Sequence, residues 1–150
     1  LETDAISLLS RSPTYMGMLC SQGIVNIQRL NSNEYNYVTC PKTITITNIG
    51  LGNPKNTAYV LAHESGHIIQ CHGLEVTRDF YFERLWEREG YICSYPAGFS
   101  PPEDFAETIG IYVVWPGFIT RSCGEVNYPA KYPLHYQFAK DNLFGGIEFK

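Results

Sequence analysis

Strand-like segments near the start of the chain, helix-like segments filling the remainder and enough apolar residues for one core predict an α+β fold. One domain spanning residues 1–150 is expected. The 150 residues are 44% hydrophobic and 17% charged, which excludes global disorder. No run approaches the ~18 consecutive apolar residues that a membrane-crossing helix needs. The net charge is −4 and the 11 Lys and Arg are scattered, so neither nucleic acid nor an anionic membrane is expected as a partner.

The elements follow in order. Residues 4–11 read as a short helix stopped at Pro13. Segments 23–30 and 35–40 read as strands, because β-branched and aromatic residues sit between polar turns. Thr43 to Thr47 alternates strictly, two Ile on one face and three Thr on the other, and the pattern breaks at Asn48-Ile49. A loop over 48–55 leads into a helix from Asn56 or Thr57 to about Cys71, ending near Gly73. Tyr59, Val60, Leu61, Ala62, Ile68 and Ile69 nearly encircle that helix, so it should be central and largely buried. A second helix spans 77–89 with Gly90 as its stop, and a third runs from Ser100 to Trp115, ended by Pro116. A fourth follows Pro133 and closes near Gly145-Gly146. The aromatic stretch from Asp79 to Trp86 reads as helix core rather than a cofactor box.

Five dispersed cysteines (Cys20, Cys40, Cys71, Cys93, Cys123) form no C-x-x-C pair, which argues against a zinc ribbon or a thioredoxin-type site. They point to an oxidising, secreted or extracytoplasmic setting with up to two disulfides and one thiol left over. The start at Leu1, without an initiator Met, fits a processed form or an excised domain.

The chemistry concentrates in the central helix, which carries His63-Glu64-Ser65-Gly66-His67, an H-E-x-x-H pattern. Positions i and i+4 lie one turn apart on one helix face, so both imidazoles can bind one ion, while Glu64 can reach a metal-bound water. A catalytic zinc takes three protein ligands and a water, so a third ligand must come from elsewhere. Gln70 and Gly73 occupy the positions where a metzincin extension needs Gly and His. His72 lies about 140° further round the helix than His67 and points away; it and His135 read as ordinary surface or cap residues. The segment Ser100-Pro101-Pro102-Glu103-Asp104-Phe105-Ala106-Glu107 offers two carboxylates at i and i+4. Like charges so placed repel by a few tenths of a kcal/mol, a cost that disappears if one binds a metal and the other accepts an N–H from a metal-bound imidazole. Glu103 has a second reading, since Ser100-x-x-Glu103 is also a capping box, and either carboxylate is a candidate ligand.

These motifs resemble those of the gluzincin zinc metallopeptidases, in particular the catalytic domain of anthrax lethal factor and compact minigluzincin-type peptidases. The shared residues are His63, Glu64, Gly66 and His67, Ser94-Tyr95 in a loop, Glu103, Phe105, Ala106 and Glu107, and a Pro-x-x-x-x-Phe stretch from Pro133 to Phe138. The match covers about residues 56–145 and is strongest at its two short motifs. Tyr95 stands eight residues before Glu103, one more than the family pattern leads one to expect. The resemblance implies a zincin-like fold, with a small N-terminal sheet followed by an active-site helix, a glutamate helix and a C-terminal helix. It implies Zn2+ held by His63, His67 and Glu103, Glu107 behind them, Glu64 as general base, and Tyr95 donating to the oxyanion. Tyr91 and Tyr112 are substitutes for Tyr95. It also implies a protein or peptide substrate that pairs with the Thr43–Thr47 strand as a rim strand. A monomeric zinc endopeptidase is therefore the expectation. The competing readings are a non-cleaving zincin-fold binding or inhibitory module with a structural zinc, and a metal-independent interaction domain.

Overall fold

The computed structural model describes residues 2–21, 23, 25–40, 42–48, 53–92, 100–114 and 127–149. Helices predominate around a three-stranded sheet, a mixed α+β arrangement. α1 (Glu2–Leu9) is followed by α2 (Pro13–Ser21), which the sequence reading omitted. Pro13 does stop α1, but it also opens α2, where its missing N–H costs nothing. Ser12 Oγ caps the new helix by accepting from Tyr15 N at 3.2 Å.

The strands are shorter than their apolar patterns: β1 (Asn26–Arg29), β2 (Tyr37–Thr39) and β3 (Thr43–Ile46). β3 is central, parallel to β1 with Ile27 opposite Ile44, and antiparallel to β2 with Val38 opposite Ile44. The Thr43–Thr47 segment is thus not a rim strand, because its ladder groups are taken on both sides. Both of its faces are buried as well. Ile44 and Ile46 face the core, while Thr45 accepts from Gln28 Nε2 at 2.8 Å and Thr47 Oγ1 donates to Glu34 O at 2.7 Å.

α3 (Pro54–Cys71) is the axis of the molecule. Asn53 caps it by accepting from Asn56 N at 2.9 Å, Pro54 occupies the first turn, and Gly73 at φ +58° lets the chain turn away at its end. α1, α2, the sheet and the later helix Pro101–Val114 all pack against it, and Ala58, Val60, Leu61, Ala62, Ile68 and Ile69 are buried, as its all-round apolar pattern requires. A disulfide joins Cys40, after β2, to Cys71 in the last turn of α3. Cys20 is a free, exposed thiol.

The expected helix over 77–89 is two helices, α4 (Glu75–Glu83) and α5 (Leu85–Glu89), broken at Arg84, which takes the left-handed conformation at φ 49°. The break turns the chain so that Phe80 and Leu85 are both buried, while Phe82 is 85% exposed and contributes nothing to the core. α6 (Pro101–Val114) starts where the sequence places it, and its expected end at Trp115 lies outside the described residues. A short α7 (Tyr128–Lys131) precedes α8 (Pro133–Phe138), whose last turn widens into a π-helical stretch over Ala139–Leu143. Phe80 packs edge-on against Phe105 and Phe138. Phe144 stacks between Tyr15 and Tyr112 at centroid distances of 4.6 and 4.9 Å, tying α2 to α6 through the C-terminal segment. No helix among the described residues is long and apolar enough to cross a membrane.

Candidate metal centre

The site forms where α3 and α6 cross. A glycine from each helix permits the close approach. A Cβ on Gly66 would lie 3.1 Å from the Cα of Ala106, and one on Gly110 would lie 2.9 Å from the Tyr59 ring and 3.3 Å from His63 Cβ. Glycine in a helix interior costs about 1 kcal/mol relative to alanine. At this crossing it lets the first turn of α6 reach the imidazoles.

The two helices bring His63, His67 and Glu103 together. The Nε2 atoms of His63 and His67 are 3.3 Å apart, and Glu103 places Oε2 3.5 Å from the first and Oε1 3.6 Å from the second. This group could hold a metal ion. His63 is buried, while His67 and Glu103 are partly open to solvent. Glu103 therefore faces the imidazoles, and the capping-box reading of Ser100 and Glu103 is not what its carboxylate does. Ser100 closes the first turn of α6 through its carbonyl, which accepts from Asp104 N at 3.0 Å.

Glu107, one turn on, lies deeper. Its Oε1 is 3.5 Å from Nδ1 of His63, the other ring nitrogen, and accepts from Tyr59 Oη at 2.5 Å. Burial lifts the pKa of Glu107, against the opposing pull of His63 and Tyr59. Burial likewise raises the pKa of Glu64, although His63 and His67 pull it down. Burial disfavours the charged form of His63, but the carboxylates of Glu103, Glu107 and Glu64 outweigh it and the net shift is upward. The two imidazoles beside it hold Glu103 well below the usual carboxylate range.

Two residues at the site escaped the sequence reading. Gln70 Oε1 accepts from His67 Nδ1 at 2.8 Å, and its Nε2 donates to Pro102 O at 2.7 Å. One amide thus receives the Nδ1 proton of His67 and ties the end of α3 to the start of α6. Tyr59 orients Glu107. Both were detectable: Tyr59 is i−4 from His63 and Gln70 is i+3 from His67, so each shares a face with an imidazole.

The remaining candidates separate cleanly. His72 sits at the C-cap of α3, past the motif. Tyr112 is withdrawn as an oxyanion donor, since its ring is buried in the core and its hydroxyl donates to Ile147 O at 2.8 Å. Tyr95, Cys93 and Cys123 lie outside the described residues. His135 is not a surface or cap residue; it is fully buried and bonded at both ring nitrogens.

Comparison with known proteins yields no relative: no family model, no curated protein and no solved structure matches the chain.

Proposed function

We propose that the chain is a zinc-dependent endopeptidase of the gluzincin kind, acting outside the cytoplasm on a protein or peptide. The observation that carries this reading is the convergence of His63, His67 and Glu103: the two Nε2 atoms stand 3.3 Å apart, the two carboxylate oxygens of Glu103 lie 3.5 Å from the first and 3.6 Å from the second, and one donor atom from each residue falls within 4.8 Å of the other two. Donors bonded at 2.0–2.1 Å to a tetrahedral zinc stand about 3.3–3.5 Å apart; the two imidazole nitrogens already have that spacing, and each has a Glu103 oxygen close to it. Two imidazoles and one carboxylate leave a coordination position open, which favours a catalytic site over a structural one closed by four protein ligands.

Bound there, zinc supplies Lewis-acid polarisation of a peptide carbonyl and acidifies an attacking water. Glu64 takes the proton of that water and passes it to the departing amine nitrogen. Its buried position, which lifts its pKa, suits a carboxylate that must accept a proton and then release it. Gln70 holds the His67 ring through its Nδ1, and Glu107 places a carboxylate oxygen 3.5 Å from Nδ1 of His63. The Cys40–Cys71 disulfide supports an oxidising compartment.

The test pairs wild type with Glu64→Gln. Both are expected to bind about one zinc, and only wild type cleaves a peptide library in a chelator-sensitive manner, with Glu64→Gln slower by ~10²-fold or more. Equal cleavage by both removes Glu64 as the base. Zinc binding by wild type without cleavage of any peptide turns the reading to the non-cleaving binding module.

A further inference from the structure

Away from His63, His67 and Glu103, the molecule buries a second cluster of ionisable groups. His135, in the first turn of α8, is fully buried between two carboxylates. Its Nδ1 lies 2.7 Å from Glu89 Oε2, at the end of α5, and its Nε2 lies 2.9 Å from Asp104 Oδ2, in the first turn of α6. Each carboxylate is engaged further. Glu89 accepts from Leu134 N at 2.7 Å and from His135 N at 3.1 Å, so it also caps α8. Asp104 Oδ1 accepts from Ile92 N at 2.7 Å. Carboxylates only accept, so the ring donates from both nitrogens and every polar atom of the chain Glu89–His135–Asp104 is satisfied. Such a network is rigid, because any rotation of a member leaves a buried charge unpaired.

Asp104 directly follows Glu103. On a helix the two side chains point about 100° apart, so clasping Asp104 on the buried side sets the direction in which Glu103 leaves the helix. We propose that His135 is a positioning residue of the metal centre: clamped between Glu89 and Asp104, it locks the first turn of α6 so that Glu103 faces His63 and His67. The proposal rests on the metal-site reading above. It makes metal affinity depend on a residue of the C-terminal helix that does not belong to the donor set.

The experiment titrates the metal-free protein with Co2+, read by its visible absorption, and with Zn2+ in competition with a chromophoric chelator. Both are run well below the melting temperature, with folding checked by circular dichroism. His135→Gln can make only one of the two contacts and is expected to weaken metal binding about 10- to 100-fold and to alter the Co2+ spectrum. Asp104→Asn is the conservative variant. Its amide can donate to Nε2 of a neutral His135 while its oxygen keeps the Ile92 contact, so affinity should stay within about threefold of wild type. Leu85→Ala loosens the same corner without touching the clasp and should lower the melting temperature while leaving affinity unchanged. If His135→Gln does not fold, Glu89→Ala cuts the clasp at its outer end and is expected to show the same loss of affinity. A folded His135→Gln that binds Co2+ and Zn2+ as wild type does would overturn the positioning role and leave the clasp purely structural. Wild-type protein that binds neither ion would instead overturn the metal site itself, and the proposal with it.

Discussion

Gly66 on α3 and Ala106 on α6 approach so closely that a Cβ on the glycine would lie 3.1 Å from the alanine Cα and 3.0 Å from Ile109 Cδ1. In Gly66→Ala, helix propensity gains about 1 kcal/mol while overpacking costs about 1–3 kcal/mol. Stability should therefore fall by no more than ~2 kcal/mol. The helices must part, however, so Glu103 withdraws from the imidazoles and Zn2+ affinity falls ~10-fold or more. Thermal melts beside a zinc competition assay separate the two effects.

The two glutamates of α6 are not equivalent. Glu103 touches both Nε2 atoms, whereas Glu107 lies against His63 Nδ1 and Tyr59. Glu103→Ala should remove most metal affinity, while Glu107→Gln should cost about 10- to 100-fold, the usual effect of losing a group that orients a ligand. Gln70→Ala should resemble Glu107→Gln, since it frees His67 Nδ1 and the link to Pro102 together. Isothermal titration with Zn2+ ranks the three, and a larger loss in Glu107→Gln than in Glu103→Ala would exchange the two roles.

Stability of the metal-free protein should decline as pH rises through the neutral range. The raised pKa of His63 contributes stability that is complete below its ordinary 6.5 and lost as pH climbs through the raised value. Raised values at Glu64 and Glu107 act in the same direction from their ordinary 4.5 upward. The depressed Glu103 contributes above its ordinary 4.5 and loses that only as pH falls through its lowered value. Metal requires His63 unprotonated, so the melting-temperature gain from Zn2+ should be larger at pH 8 than at pH 6. Parallel melts with chelator and with Zn2+ across pH 5–9 check both signs.

The Cys40–Cys71 disulfide closes a loop of sequence separation 31, for which the chain-entropy model assigns about 3–4 kcal/mol. Reduction, or serine at both positions, should lower the melting temperature by about 6–15 °C. Zinc affinity at low temperature should persist, because α6 rather than the sheet supplies Glu103. Melts with and without reductant, each followed by zinc titration, test the separation.

Legibility in the sequence followed the range of the interactions. The end of α3 and the start of α6 could be read because caps, prolines and apolar periodicity act within a few residues of each other, whereas α3 begins at Pro54 behind the Asn53 cap, two residues before the expected start. The break at Arg84 could not, since neither Gly nor Pro marks it and it serves the burial of Phe80 and Leu85. Strand alternation showed that Thr43–Ile46 is extended, but not that β1 and β2 would occupy both of its edges. His135 looked ordinary because its partners Glu89 and Asp104 stand 46 and 31 residues away.

The amino-acid order by itself determined which side chains share a helix face: His63 with His67, Glu103 with Glu107, Tyr59 with His63. Those relations follow from the 3.6-residue period alone. Tertiary structure decided which glutamate meets the imidazoles, which amide orients His67, and how a buried histidine comes to hold the first turn of α6. The helical period sets the faces of a helix, but what meets a face depends on packing between segments distant along the chain. Here that packing turns on two glycines at one helix crossing.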